Sequence, residues 1–171
     1  MLRTCGAPRP LVPADPMSSD DRLNIQQFAS GPFKPHGRVE LWTEGNVVYL
    51  EASGPFNKEA VLAVGATWRE LFARLPHSGP FADVVVVEGS MMAGPEVLEA
   101  FGAFLGMNTA ANVAPCAVAW VVPPAVEGGV LMIPAFEQIY QAAGRNIRFF
   151  DNLPQAQDWV RGQLRLQTPL P

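Results

Sequence analysis

The chain has few charged residues and no long apolar run. Only 16% of its 171 residues are Asp, Glu, Lys or Arg, and 12 basic against 16 acidic residues leave a net charge of −4. Neither sign is gathered into a run, so the basic stripe of a nucleic-acid-binding protein is missing and attraction to an anionic membrane is not expected. The longest apolar runs fall far short of the roughly 18 residues that a membrane-spanning helix needs.

Two cysteines and two histidines are too few, and too far apart, for a disulfide framework or a metal site. Cys5 lies in a proline-rich stretch, and Cys116 opens an apolar segment in which a buried thiol is expected. Because no spacing of metal ligands occurs, the sequence predicts no metal and no cofactor. The N-terminus has no continuous apolar segment of the signal-peptide kind, which favours a cytoplasmic protein.

Residues 1–37 differ in composition from the rest. Six prolines lie in the first 35 positions, and no helical or strand period persists there. This segment is predicted to be a poorly ordered tail or a loosely packed arm. Met17 could be the true start instead of Met1. Residues 38–166 are long enough for one domain with a substantial core, and 167–171 are predicted to be a short tail.

From Val39 onward, β-branched segments alternate with apolar stripes of helical length. The predicted elements are a hairpin over 39–52, a helix over about 57–75, a strand at 84–87, a helix from Pro95, a strand at 117–122, a helix after Gly129, a strand at 147–150 and a helix capped by Asp151 or Asn152. The order ββαβαβαβα predicts an α/β domain whose mixed sheet is parallel at its centre and carries helices on both faces.

The last strand and helix also carry a resemblance to a known family. Ile147 to Phe150 followed by a helix with Ala156 and Trp159 resembles the SpoIIAA-like branch of the STAS fold, named for sulfate transporters and anti-sigma-factor antagonists. Members of that branch often close with a strand of the type F-R-x-F and a helix of the type A-x-x-W. The resemblance spans about residues 39–164, and it implies a single STAS-like (SpoIIAA-like) domain of a bacterial regulatory type.

Regulatory members of that family carry an Asp-Ser-Ser-Gly-like turn after the central strand, and a partner kinase phosphorylates a serine there. The matching turn in this chain runs from Glu88 to Gly94 and lacks both the aspartate and the serine pair. Ser90 supplies its only hydroxyl. The resemblance therefore implies Ser90 as a phosphosite, and a plain turn or capping residue is the alternative.

Ligands of a parallel sheet bind beyond the carboxyl ends of its strands. Loops 53–57, 88–94 and 122–124 are expected to meet at that edge, and His36 is expected beside Ser53. The predicted ligand- or partner-binding residues are Ser53, Asn57, Glu88, Ser90, Met91 and Met92.

No catalytic constellation follows from the sequence, so no enzymatic activity is predicted. Ser90 lacks the Gly-x-Ser-x-Gly turn of the hydrolases. His36 and His77 are expected at opposite edges of the sheet, so a Ser-His-acid arrangement is not predicted. Gly128-Gly129 has neither the spacing nor the lysine of a phosphate-binding loop.

Two functions stay open. The first is a non-enzymatic interaction module, in which loops 53–57 and 88–94 bind a protein partner or a second copy; the hairpin edge at 39–42 could also support a homodimer. The second is a carrier of a small hydrophobic molecule or lipid, because the SpoIIAA-like branch is similar to a lipid-carrying fold. Apolar residues near the loops could line its pocket, namely Phe56, Met91, Met92, Val130 and Met132.

Overall fold

The computed structural model describes residues 22–73 and 79–167. The strands are β1 (Leu23–Asn24), β2 (Arg38–Glu44), β3 (Val47–Ser53), β4 (Ala82–Glu88), β5 (Ala117–Val121) and β6 (Ile147–Phe150). The helices are α1 (Lys58–Phe72), α2 (Pro95–Ala110), α3 (Gly129–Ala142) and α4 (Leu153–Gln167). Apart from β1 and the 3-10 turn Ile25–Phe28 that follows it, this is the predicted order of elements.

One mixed sheet contains all six of these strands, in the order β1-β2-β3-β4-β5-β6. The pairs β1–β2 and β2–β3 are antiparallel, and β3 to β6 run parallel. Crossover connections of parallel strands are right-handed, and here each one steps to the next strand in the same direction. Helices α1, α2 and α3 therefore share one face, while α4 packs on the other. The predicted mixed α/β sheet is confirmed.

The valine run of β4 contributes side chains to two separate hydrophobic cores. Successive side chains of a strand point to opposite faces. Val85 and Val87 belong to the larger core beneath α1, α2 and α3, and Val84 belongs to the smaller core beneath α4. Both faces of β4 are thus covered, as a strand without polar alternation predicts.

Local sequence signals set several element boundaries. Asn57 caps α1, Pro95 occupies the first turn of α2, and the Asn152 Oδ1 atom accepts the Gln155 N–H at 3.2 Å at the start of α4. Gly45 in the hairpin turn has a φ of +58°, which glycine adopts without steric cost. Helix α1 ends at Phe72 with Ala73 as its C-cap, and residues 74–75 of its predicted span lie outside the described residues together with His77.

The described part of the N-terminal arm packs against the outer edge of the hairpin. Leu23 and Asn24 pair with Leu41 and Glu40 of β2, and Ile25 is completely buried. The Arg22 guanidinium lies 3.9 Å from the centre of the Trp42 ring. The edge of β2, which the sequence predicted to be available for pairing, is therefore paired with the arm at two positions. Residues 1–21 and 168–171, including Cys5 and both alternative start positions, lie outside the described residues.

Candidate ligand-binding cavity

Asn57 is held by local structure at the carboxyl edge of the sheet. Its Oδ1 atom accepts the Ala60 N–H at 3.0 Å and the His36 N–H at 2.8 Å, and its Nδ2 donates to the Lys34 carbonyl at 3.0 Å. The side chain thus caps α1 and ties residues 34–36 to it. As the sequence predicted, His36 lies at this edge, with its own side chain exposed.

Ser90, in the turn predicted at 88–94, is only 5% exposed and forms an isolated parallel β-bridge with Glu127. Its Oγ accepts the Met92 N–H at 3.2 Å, and its carbonyl accepts the Gly54 N–H at 3.1 Å. A Cβ atom on Gly54 would collide with that carbonyl, so glycine permits the close approach of these two loops. Gly94, not Ser90, is the residue that caps α2. A kinase could reach the Ser90 hydroxyl only if this turn opened.

The other predicted site residues divide between surface and core. Ser53 and Glu88 are paired in the β3–β4 register, and Glu88 is exposed. Met91 is 1% exposed, whereas Met92 is 37% exposed and lies against Gly128, where a Cβ would collide with its sulfur. Of the six predicted residues, only Met91 lines the cavity that the fold encloses.

That cavity has a volume of about 90 Å³ and lies between the sheet and helices α1, α2 and α3. Its wall is apolar along most of its length. The apolar lining includes Ala52, Phe56, Val61, Trp68, Val85, Met91 and Phe104. Of the five apolar residues predicted to line a pocket, Phe56 and Met91 do so, while Val130 is 95% exposed.

Polar side chains line the opposite end, near the amino ends of the parallel strands. Asp83 comes from the start of β4, Asn108 from the last turns of α2, Tyr140 from α3, and Arg145 from the loop before β6. We call these residues the polar end. Asp83 is in phase with Val85 on the strand face beneath the helices, so a carboxyl group occupies a core-facing position.

Several atoms of the polar end are buried without a hydrogen bond. Arg145 is 7% exposed, and its Nη2 donates to the Leu105 carbonyl at 3.0 Å. Within residues 22–73 and 79–167, no partner is found for Arg145 Nε and Nη1 or for Asp83 Oδ1. Tyr140 is engaged, since its hydroxyl oxygen accepts the Trp120 Nε1–H at 3.1 Å. Buried polar atoms left unpaired are rare in folded proteins and cost about 1–3 kcal/mol each.

Burial also shifts the titration of this end. It raises the pKa of Asp83 to about 7, against the opposing effect of the Arg145 charge. It lowers the pKa of Arg145, again against the opposing charge of Asp83, and it raises the pKa of Tyr140. Asp83 therefore changes its charge near neutral pH, and a carboxyl group so perturbed inside a cavity is a mark of functional sites.

Asp83 and Arg145 are candidate functional residues that the sequence did not reveal. Asp83 directly precedes the valine run at 84–87, and Arg145 follows Gly144, so each lies at the flank of a strand. The alternation of strand side chains could have identified Asp83, because Asp83 is two residues before Val85 and belongs to the same buried face. Nothing local in the sequence marks Arg145 as buried.

Other places in the described ranges offer less to a ligand. A shallow, mainly polar depression beside β6 is lined by Arg148, Asp151, Asp158 and the partly buried Trp159. Among the residues described, no group of three or more His, Cys, Asp or Glu could hold a metal ion. In the same ranges, every helix is too short or too polar to cross a membrane.

The fold and the cavity define a single-sheet α/β domain with an apolar cavity between its sheet and helices, and buried titratable groups line one end of that cavity. Comparisons with known protein families, with curated proteins and with solved structures found no match. The resemblance to the STAS fold stays a prediction, and the chemistry of the cavity is the basis for a functional assignment.

Proposed function

We propose that this chain is a non-enzymatic binding protein for a small, mainly apolar molecule that occupies the cavity. The supporting observation is an apolar cavity whose few polar groups converge at one end, which is the usual construction of small-molecule sites. Among the described residues that line it there is no serine, cysteine or histidine that could act as a nucleophile. Binding and release, without covalent chemistry, is the function that this lining suits.

The size of the cavity limits the ligand. An apolar protein cavity of about 150 Å³ holds benzene, and this one measures about 90 Å³. A molecule of about six non-hydrogen atoms, such as benzene, is therefore expected to enter with small shifts of the lining side chains. A lipid chain, the other form of the carrier hypothesis, would require α1 and α2 to move away from the sheet.

Filling the cavity tests the proposal directly. Ala52 lines it and is 8% exposed, so Ala52→Leu places three more carbon atoms inside. We expect benzene to perturb NMR signals of cavity residues in the wild-type chain and to leave the variant unchanged. We also expect the variant to gain about 1 kcal/mol in free energy of unfolding, because cavity filling removes empty space from the core.

Ala103→Leu is the matched control, since Ala103 is exposed on α2 and the same atoms are added outside the cavity. It should bind benzene as the wild type does. Equal binding by the Ala52→Leu and wild-type chains, or no binding by the wild type, would contradict the proposal. Native and denaturing mass spectra of freshly purified protein would identify a natural ligand as mass that is lost on denaturation.

A second candidate function is self-association, favoured by an exposed apolar patch. In the first turn of α3, Val130 is 95% and Leu131 is 68% exposed, and Met92 is 37% exposed beside the preceding Gly128. Exposed apolar groups gathered at one place mark interaction surfaces. This patch adjoins loop 88–94, which the sequence predicted as a contact face.

For this second candidate we expect the full chain to sediment as a dimer and the Leu131→Glu variant as a monomer, because a buried charge without a partner prevents association. Leu62→Glu on α1, where Leu62 is 53% exposed, is the control and should remain dimeric. A wild-type chain that is monomeric at high concentration, or a Leu131→Glu variant that still dimerises, would rule out this patch.

A further inference from the structure

The polar end presents both hydrogen-bond donors and an acceptor to the cavity. Arg145 Nε and Nη1 are N–H groups, and Asp83 Oδ1 is a carboxyl oxygen. None of these atoms has a partner among the described residues, and all are buried. Arg145 and Asp83 therefore place unpaired hydrogen-bond donors and an unpaired acceptor at the same end of the cavity.

The charges at this end favour a neutral head group. The positive charge of Arg145 and the negative charge of Asp83 offset each other inside the fold. An added carboxylate would be repelled by an ionised Asp83, and an added ammonium by Arg145. Burying an unbalanced charge costs far more than burying a hydrogen-bonded neutral group.

We propose that the polar end recognises a neutral head group that accepts a hydrogen bond from Arg145 and donates one to Asp83, as a primary amide does, while a short hydrocarbon tail lies along the apolar wall. This inference rests on the proposed function. The volume of about 90 Å³ suits a tail of only a few carbons. Water is the competing occupant, since a water molecule occupies about 30 Å³ and can satisfy the same atoms.

The test compares head groups of matched size in the wild-type chain at pH 8, where Asp83 is ionised. The probes are butyramide, which accepts and donates, 2-pentanone, which only accepts, and butyrate, which is an anion. We expect butyramide to bind about tenfold more tightly than either of the others, because it alone pairs both buried groups. Its binding should shift the Nε–H resonance of Arg145 in the NMR spectrum.

Two variants test whether Asp83 causes the preference for butyramide. Asp83→Leu removes the acceptor and should reduce the ratio of butyramide to 2-pentanone affinity to about one, whereas Ala103→Leu should keep it. The ratio of butyramide to 2-pentanone affinity in the wild-type chain also tests the inference without any variant. Tightest binding of butyrate would overturn the inference in favour of an anion.

Equal binding of all three probes, with benzene also bound, would overturn the head-group inference and leave the proposed function intact. That result would mean that water keeps the polar end occupied. If neither benzene nor any of the three probes binds, the proposed function fails as well.

Discussion

Replacing Arg145 with methionine should lower the free energy of unfolding by about 1–3 kcal/mol at pH 8, because the Asp83 carboxyl and the Leu105 carbonyl stay buried without the charge and the N–H that Arg145 supplies. Arg145 is 7% exposed and its charge opposes the burial penalty of Asp83. Methionine keeps most of the apolar stem, so lost packing is a small part of the effect. The Leu105 carbonyl also loses the N–H that it accepts at 3.0 Å.

Urea unfolding of a second variant separates charge from packing. In Asp83→Leu/Arg145→Met both charges are replaced by apolar groups, and we expect most of the lost stability to return, because such replacements are often neutral or stabilising. At pH 5 the single variant should lose less, since Asp83, with a pKa of about 7, is then already protonated and leaves no negative charge without a counterion.

The control for this prediction is Arg148→Met, at an exposed position of β6 where the arginine lies over the Phe150 ring at 5.3 Å. It should change the free energy of unfolding by about 1 kcal/mol or less. If Arg148→Met costs as much as Arg145→Met, or if the double variant is no more stable than the single one, the buried charge is not the cause.

The second large effect concerns pH: the contribution of Asp83 to stability should fall by about 4 kcal/mol between pH 4 and pH 8. In the unfolded chain this carboxyl ionises near its ordinary pKa of 3.8, and burial raises the folded pKa to about 7. Between these values the folded protein keeps a proton that the unfolded chain has lost. Stability therefore decreases as pH rises through this window and is constant above it. A shift of about three pKa units corresponds to about 4 kcal/mol.

The measurement is urea unfolding of the wild type and of Asp83→Asn at several pH values. We expect the wild type to lose about 4 kcal/mol relative to the variant from pH 4 to pH 8. Among the other titratable groups, the charge of Arg145 acts on Asp83, while the charge of Asp83 acts on Tyr140 and Cys116. Burial raises the pKa of both the tyrosine and the thiol, so neither contributes charge in this window. A difference between the two proteins that does not change with pH would contradict the prediction.

The pairing of β1 with the outer edge of the hairpin could not be predicted from sequence patterns. Strand β1 contains only Leu23 and Asn24, which is too short for an alternating pattern to stand out. Its position depends on contacts with distant residues, such as the pairing of Leu23 with Leu41 and the stacking of Arg22 on Trp42. Such contacts are long-range and leave no local trace in the sequence.

The predicted site residues show a second limit. Their location at the carboxyl edge followed from strand direction, and the structure does bring His36 to Asn57 there. What the pattern could not tell was that the Ser90 hydroxyl accepts the Met92 N–H and that the Asn57 amide, besides capping α1, also binds the backbone of residues 34–36. Polar side chains near turns commonly hydrogen-bond the nearby backbone, and only their contacts in the folded protein distinguish this role from ligand binding.

The sequence by itself determined the local elements of this protein. The valine run of β4, the Asn57 cap and Pro95 at the start of α2 act through nearest neighbours and through burial on both strand faces, so their effect is legible without the fold. Only the tertiary structure decided the cavity and its polar end. Asp83, Asn108 and the neighbouring Tyr140 and Arg145 come from three separate segments of the chain, and each looks locally like a residue that could face water. The parallel register of β4, β5 and β6 and the packing of α2 and α3 bring them together, and burial then gives them their chemistry.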